Sequence, residues 1–343
     1  MPPDDHGSRV AAGKLPAAQL QAMLTGLRRT DPRVIVGPQL GEDAAAIAFG
    51  DQCLVVTTDP VTFATDRIGW YAVHVNANDV AAMGATPRWL SIVLLLPEHA
   101  TTATLVDDIM RDVHDTAEAL GITVCGGHTE ITTGLERPIV VGQLLGEVAR
   151  DGLVTKAGLE VGDRIVLTQG IAIEGTALLA REKRDALASE LDGDTLARAE
   201  QFLFEPGISI VAAARTAVDT GGVHAMHDPT EGGLVGGLCE LAAASSLGLH
   251  VEADRVPIFP ETAAVCGPFD VDPMRLIASG ALLIGAPPAD ADRIVAALAE
   301  HGIPAQAIAE VRPASAGVTI EVNGETRPLE TPERDEIARV LGT

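Results

Sequence analysis

Lysine is nearly missing from this 343-residue chain: Lys14, Lys156 and Lys183 are the only three among 24 basic residues. Each sits in a polar stretch, so a lysine kept neutral in an apolar pocket for Schiff-base chemistry is not expected. Aromatic residues make up only 3%, a skew that fits a GC-rich genome and a salt-adapted host equally. The four cysteines, Cys53, Cys125, Cys239 and Cys266, are far apart and form no CxxC. They read as buried thiols of a reducing compartment, not as a disulfide frame or zinc ribbon. Apolar runs such as Ile92–Leu96 are far too short to span a bilayer, and MPPDDHGSRV has no charged-then-apolar leader pattern. A soluble, cytoplasmic protein is expected. Positive charge is scarce as well: 24 Lys+Arg against 48 Asp+Glu give −24, which repels nucleic-acid backbones and anionic membranes. An anionic substrate would therefore need a metal ion or glycine-rich backbone to receive it. GxxxxGK[ST], GxGxxG and GxSxG are all absent, which removes the P-loop, the Rossmann turn and the hydrolase elbow.

What remains is a chain with 47% apolar residues, long enough for two α/β or α+β domains. After a polar extension over 1–37 with one short helix (Pro16–Arg29), strands and helices alternate. Strands are expected at Cys53–Thr57, Leu90–Leu96, Ile122–Cys125 and Ile139–Val148. Helices are expected over Gly69–Gly84 and Thr101–Leu120, the second carrying Leu105, Ile109, Val113 and Leu120 near one face. The turn-rich stretch Asp151–Asp163 places a domain boundary, giving domains at 38–150 and 151–343. In the second half the pattern predicts strands at Arg164–Thr168, Ala281–Ala286 and Val318–Val322. Helices follow over Glu174–Glu190, from Pro206 to Gly221, over Glu231–Ser246 and over Asp290–Glu300.

Three acids stand beside or at the end of apolar elements: Asp43 in GEDAAAI, Asp59 after CLVVTT, and Asp79 after Asn76 and Asn78 in HVNAND. Carboxylate and amide oxygens are hard ligands suited to Mg²⁺ bound with a phosphate chain. The same acids could equally be a turn former before Pro60 and a solvated helix face. CGGHTE (125–130) follows a strand, and its paired glycines would let backbone N–H groups approach an anion, with His128, Thr129 and Glu130 turned into the same site. An ordinary glycine turn is the alternative. MHDPTEGGLVGGL (226–238) loads the opening of a helix with Gly232, Gly233, Gly236 and Gly237. Glycine costs about 1 kcal/mol per residue inside a helix, so close approach to a ligand or to another element is implied. His224, His227 and Asp228 could suggest a metal site, but two histidines three apart on a strand would face opposite ways.

GEDAAAI (41–47), TTDP (57–60), NANDVAAMGATP (76–87), GGHTEIT (126–132) and DPTEGGL (228–234) stand in the order found in the PurM-like, aminoimidazole ribonucleotide (AIR) synthase-related superfamily. The chain resembles that group over roughly residues 38–325. The group includes thiamine-monophosphate kinase, selenophosphate synthetase and the hydrogenase-maturation factor HypE. The resemblance implies a PurM-like α/β (α+β) architecture, with an N-terminal sheet domain that dimerises and binds ATP and a C-terminal α/β domain behind it. It implies Asp43, Asp59 and Asp79 as metal positions, and Asn78, Gly126, Gly127, Thr129, Asp228, Gly232 and Gly233 as nucleotide contacts. His128 and Glu130 become candidates for polarising or deprotonating an acceptor. The expected cofactors are ATP and Mg²⁺, and the expected activity is phosphorylation or activation of a small molecule by a homodimer. DPTEGGL, Pro257-Ile258 and DVDPMRLIASGALLIG (270–285) resemble HypE most. No cysteine follows Cys266 and the chain ends ARVLGT, so a carboxamide carried on a C-terminal cysteine is not expected. Thiamine-monophosphate kinase and a non-catalytic, nucleotide-binding maturation factor with a protein partner are the alternatives.

Overall fold

The computed structural model describes residues 15, 17–28, 30–39, 41–62, 66–332 and 334–342. Strands β1 (Val34–Val36), β2 (Ala45–Phe49), β3 (Gln52–Val61), β4 (Thr86–Pro97), β5 (Thr123–Thr132) and β6 (Ile139–Ala149) form one sheet, in the order β1-β2-β3-β6-β4-β5. Strands β7 (Arg164–Thr168), β8 (Ala225–His227), β9 (Gly248–Glu252), β10 (Leu283–Ala286), β11 (Ala305–Arg312), β12 (Val318–Val322) and β13 (Glu325–Pro328) form the second, in the order β13-β12-β9-β11-β7-β10-β8. Both are mostly antiparallel; β4–β5 and β9–β12 are the parallel pairs. Strand β1 lies within the expected N-terminal extension and pairs with β2, so the first sheet begins before residue 38.

In the first sheet β2, β3, β4 and β6 alternate, whereas β7, β8 and β10 of the second are buried almost throughout. Along β3, Cys53, Val55, Thr57 and Val61 are buried, while the residues between them are exposed or half-buried. The buried face carries the helix Ile68–Ala82, fourteen of whose fifteen residues are buried. Such a helix needs packing partners all round, and it finds them in β3 and β6 on one side and the helices Ala103–Ala119 and Val211–Thr220 on the other. Gly142 on β6 makes the close approach possible: a Cβ there would lie 2.4 Å from the Asn76 amide nitrogen. The helix Ala103–Ala119 starts where Thr102 accepts from the Leu105 N–H and buries Ile109, Val113, Thr116 and Ala117, as its periodicity requires. Among the described residues, no helix is packed closely on the other face of the first sheet. That face shows half-buried Leu54, Val56, Val93, Leu95, Val141 and Leu145, with the more exposed Trp89.

Several local expectations change. Pro206 does not open a helix; Glu205 is extended (φ −143°, ψ 107°), and the helix starts only at Val211. The helix expected over Glu174–Glu190 runs from Ile173 to Glu182, resumes over Arg184–Leu187 and ends there. The N-terminal helix is shorter, Ala17–Thr25; Pro16 and Arg29 lie outside the described residues. Cys53 and Cys266 are buried as expected, but Cys125 is exposed on β5. Strands β9 and β11 were not expected, because GLHVE and AQAIAEVR carry little of the β-branched signal that marks strands. Among the described residues, no helix is long and apolar enough to cross a membrane.

Candidate metal and nucleotide site

The three sequence-selected aspartates converge where the two sheets meet. Asp43 lies in the loop before β2, Asp59 on β3, and Asp79 on the helix Ile68–Ala82. Asn76 fixes the second of these: its Oδ1 accepts from the Asp59 N–H at 3.1 Å, and its Nδ2 donates to the Ala72 carbonyl at 2.8 Å. The Thr57 hydroxyl stands 2.6 Å from Asp79 Oδ2 and 3.1 Å from the Asp43 carbonyl. The hydroxyl donates to the Asp79 carboxylate, the shorter of the two contacts. Burial, then the neighbouring Asp228, Asp59 and Asp43 carboxylates, raise Asp79 well above the ordinary range, against the Thr57 hydrogen bond.

From the second half come His227, the last residue of β8, and Asp228 immediately after it, both buried. Oxygens of Asp43 and Asp228 and a His227 nitrogen lie within 4.8 Å of one another. His227 Nδ1 faces Asp43 Oδ2 at 3.3 Å and Nε2 faces Glu240 at 2.7 Å. Burial and the Lys156 ammonium push its pKa down, but the two carboxylates outweigh them and hold it above the ordinary value. His224, just before β8, pairs instead with Asp163 at 2.9 Å, so the two histidines part. Asp228 is raised to about 7 by burial and by Asp43, against His227 and Lys156. Among the described residues, its Oδ1 has no hydrogen-bond partner. Asp43 goes the other way: burial disfavours its charge, but His227 and Lys156 hold its pKa well below the carboxylate range.

Lys156 is the residue that sequence reasoning missed. Its polar neighbours in the chain argue only against an apolar pocket, whereas it is 3% exposed and donates to Asp43 Oδ1 at 2.8 Å and to the Gly41 carbonyl. Its place in the turn-rich linker, in a chain almost without lysine, was the available signal.

The donor set fits a hard divalent cation. Four carboxylates lie near one another, burial and neighbouring carboxylates push two of them toward protonation, and one buried oxygen has no partner among the described residues; a cation with oxygen ligands relieves all three conditions. His227 has both nitrogens committed to carboxylates, which leaves the oxygens as donors.

The other selected residues fare differently. Asn78, expected at the nucleotide, spends its amide on the backbone: Nδ2 donates to the Ile208 carbonyl at 2.8 Å and Oδ1 accepts from the Ile210 N–H at 3.0 Å, clasping the two halves. Gly232 donates its N–H to Asp335 Oδ2 at 2.6 Å, so a carboxylate of the chain itself fills the anion position. Gly233 has φ +64°, and a Cβ there would lie 2.6 Å from the Leu276 carbonyl; its reason is backbone packing. Cys125–Glu130 is no turn. It is part of edge strand β5, with Gly127 paired to Ile92 and, across two further strands, in row with Asp59. Three strand spacings put that row about 14 Å from Asp59. His128 shares a row with Val93, Val141 and Pro60, on the face that carries no helix, with Glu130 3.8 Å away. Their side chains are 69% and 57% exposed. Within one chain, His128, Thr129 and Glu130 do not join the aspartates, because a continuous strand keeps them at the sheet edge.

Two family models match the chain: AIR synthase related protein, N-terminal domain, over residues 41–148, and AIR synthase related protein, C-terminal domain, over 160–321. A Methanocaldococcus jannaschii protein described as "Putative hydrogenase expression/formation protein" is 28% identical over 98% of both chains. The carbamoyl dehydratase HypE of Rhodobacter capsulatus is 30% identical over 76% of this chain and 73% of its own. Among solved structures, HypE in complex with ATP superposes with a TM-score of 0.71 at 24% identity, covering 93% of this chain and 91% of that one. The HypE–HypF complex gives 0.75 at 20% identity, with 92% and 100% covered. A ThiL complexed with AMPPCP and TMP gives 0.68 at 21%, with 84% and 89% covered. The chain belongs to the AIR synthase-related, PurM-like family, and HypE proteins are among its relatives.

Proposed function

We propose that the chain binds Mg²⁺–ATP at the junction of its two sheets and uses it to phosphorylate or activate a small-molecule acceptor. The observation that carries this reading is that Asp43, Asp59, Asp79 and Asp228 lie near enough to act on one another's charge, with a buried Asp228 oxygen that has no partner among the described residues. Mg²⁺ bound with ATP would neutralise the polyphosphate and polarise its terminal phosphoryl group. Asp59 and Asp79, held by Asn76 and Thr57, are the rigid part of the set. His227 keeps Asp43 oriented and passes the contact on to Glu240. The HypE–ATP and ThiL–AMPPCP structures share the fold and bind nucleotides, which supports the same class of ligand here.

We assign 38–150 to the nucleotide-binding, dimerising half and 151–343 to the half that shapes the acceptor pocket. The helix-free apolar face of the first sheet, with edge strand β5, is the proposed homodimer surface; His128 and Glu130 would then reach a nucleotide only across it. Calorimetric titration of ATP with and without Mg²⁺ tests the reading: metal-dependent binding is expected, and no binding in either condition would sink it. A maturation role with a protein partner is the second reading. It is favoured by the hydrogenase expression/formation relative that matches the full length. Capture of one partner under ATP but not ADP, with no small acceptor raising ATP turnover, would decide for it.

A further inference from the structure

Lys156 stands on the short turn Lys156–Gly158, between the last strand of the first sheet and the first strand of the second. Its side chain is 4% exposed, and its ammonium is held by Asp43 Oδ1 and the Gly41 carbonyl. The other Asp43 oxygen faces His227. Both oxygens of this aspartate are thus engaged by cationic or donor groups of the chain itself, whereas Asp228 Oδ1 has no partner among the described residues. A divalent ion arriving at the cluster meets one carboxylate that is already taken and a positive charge fixed beside it, and the two repel. A lysine is also the side chain best able to leave: its four-carbon stem can swing the ammonium several ångströms while the turn stays put.

Resting on the metal–ATP reading above, we propose that Lys156 is a positioning residue that couples metal binding to nucleotide binding. Without nucleotide it occupies Asp43 Oδ1 and keeps a divalent ion from binding tightly on its own. A polyphosphate offers the ammonium a new anionic partner, and Asp43 Oδ1 passes to the metal. The residue sets the order and cooperativity of loading and takes no part in bond-making.

The test uses Mn²⁺ as the metal and the β,γ-methylene analogue of ATP as the nucleotide, with affinities from calorimetry and from the paramagnetic resonance of free Mn²⁺. The native chain should bind Mn²⁺ weakly alone and at least tenfold more tightly with the analogue. Lys156→Met should bind Mn²⁺ alone at least tenfold more tightly than native, about 1.4 kcal/mol, with the gain from nucleotide reduced to less than threefold. Lys156→Arg keeps the charge and should keep the native pattern. A lysine with a merely structural role would weaken both affinities or leave Mn²⁺ alone unchanged, and either result overturns the proposal. If near-ultraviolet circular dichroism shows that Lys156→Met does not fold, Lys156→Gln carries the same expectation. The native chain decides independently: equal Mn²⁺ affinity with and without the analogue overturns the coupling. Failure to bind Mn²⁺ under any condition removes the metal reading and the role together. Native binding of metal with nucleotide, with no gain in Lys156→Met, removes the role alone.

Discussion

The aspartate junction and edge strand β5 carry equally suggestive motifs, and the fold treats them in opposite ways. At the junction, residues from Asp43 to Asp228 are drawn together from a loop, a strand, a helix and a strand end; Asp79 and Asp228 are buried and Asp43 and Asp59 half-buried. On β5, GGHTE stays contiguous and open to solvent along its length. Acids forced together without water must acquire a cation, a proton or a partner, and the junction has all three needs at once. A histidine and a glutamate 3.8 Å apart on an exposed edge have none of them. Burial of polar groups, more than the motif that contains them, separates a candidate site from a surface.

The largest expected effect separates the two regions directly. Asp59→Asn should lower Mg²⁺-dependent ATP affinity by more than about 100-fold, or about 2.7 kcal/mol, whereas His128→Ala should change it less than about threefold in a monomeric sample. Calorimetry on both variants checks this, and equal losses would break the contrast. Next comes Asn78, which lies in the junction but serves the fold. Asn78→Ala leaves the Ile208 carbonyl and Ile210 N–H buried without partners, so urea denaturation should show a loss of about 2–4 kcal/mol.

Glu174 asks whether a buried acid elsewhere behaves differently. Burial pushes it up to about 7, against the Ser279 hydroxyl, from an ordinary 4.5. A raised acid favours the folded state at low pH. That contribution is complete below about pH 4.5 and is lost as pH rises toward 7. Glu174→Gln should therefore stabilise the chain by about 3 kcal/mol at pH 8 and by less than about 1 kcal/mol at pH 5, read from denaturation midpoints at both pH values. The smallest effect concerns the C-terminal segment. Asp335→Asn weakens the acceptor that Gly232 and Ile337 share and should cost about 1 kcal/mol. Faster proteolytic trimming after Leu329, with the rest of the chain intact, is the readout.

Much of the fold was legible. The helices Ile68–Ala82 and Ala103–Ala119 fall within two residues of their expected bounds, because apolar spacing, Thr102, Gly84 and Gly121 mark them locally. The strands Arg164–Thr168 and Val318–Val322 coincide with expectation. The site was half legible: the motifs point to Asp43, Asp59 and Asp79, while nothing along the chain points to Lys156 or joins His227 to Asp43. Neither could have been found from spacing, since Asp43 and Lys156 are 113 residues apart and Asp43 and His227 are 184.

Periodicity, the five ordered motifs and the charge balance are properties of the chain read along its length, and they determined the fold class, the family and the expectation of a metal-assisted anion site. Which glycines face backbone, which asparagine is a clasp and which lysine is buried depend on residues that meet only after the two sheets pack. The energetic price of a buried charge is set by those neighbours, so only the tertiary structure could decide that Asp43 stays ionised while Asp79 and Asp228 are pushed toward their protons.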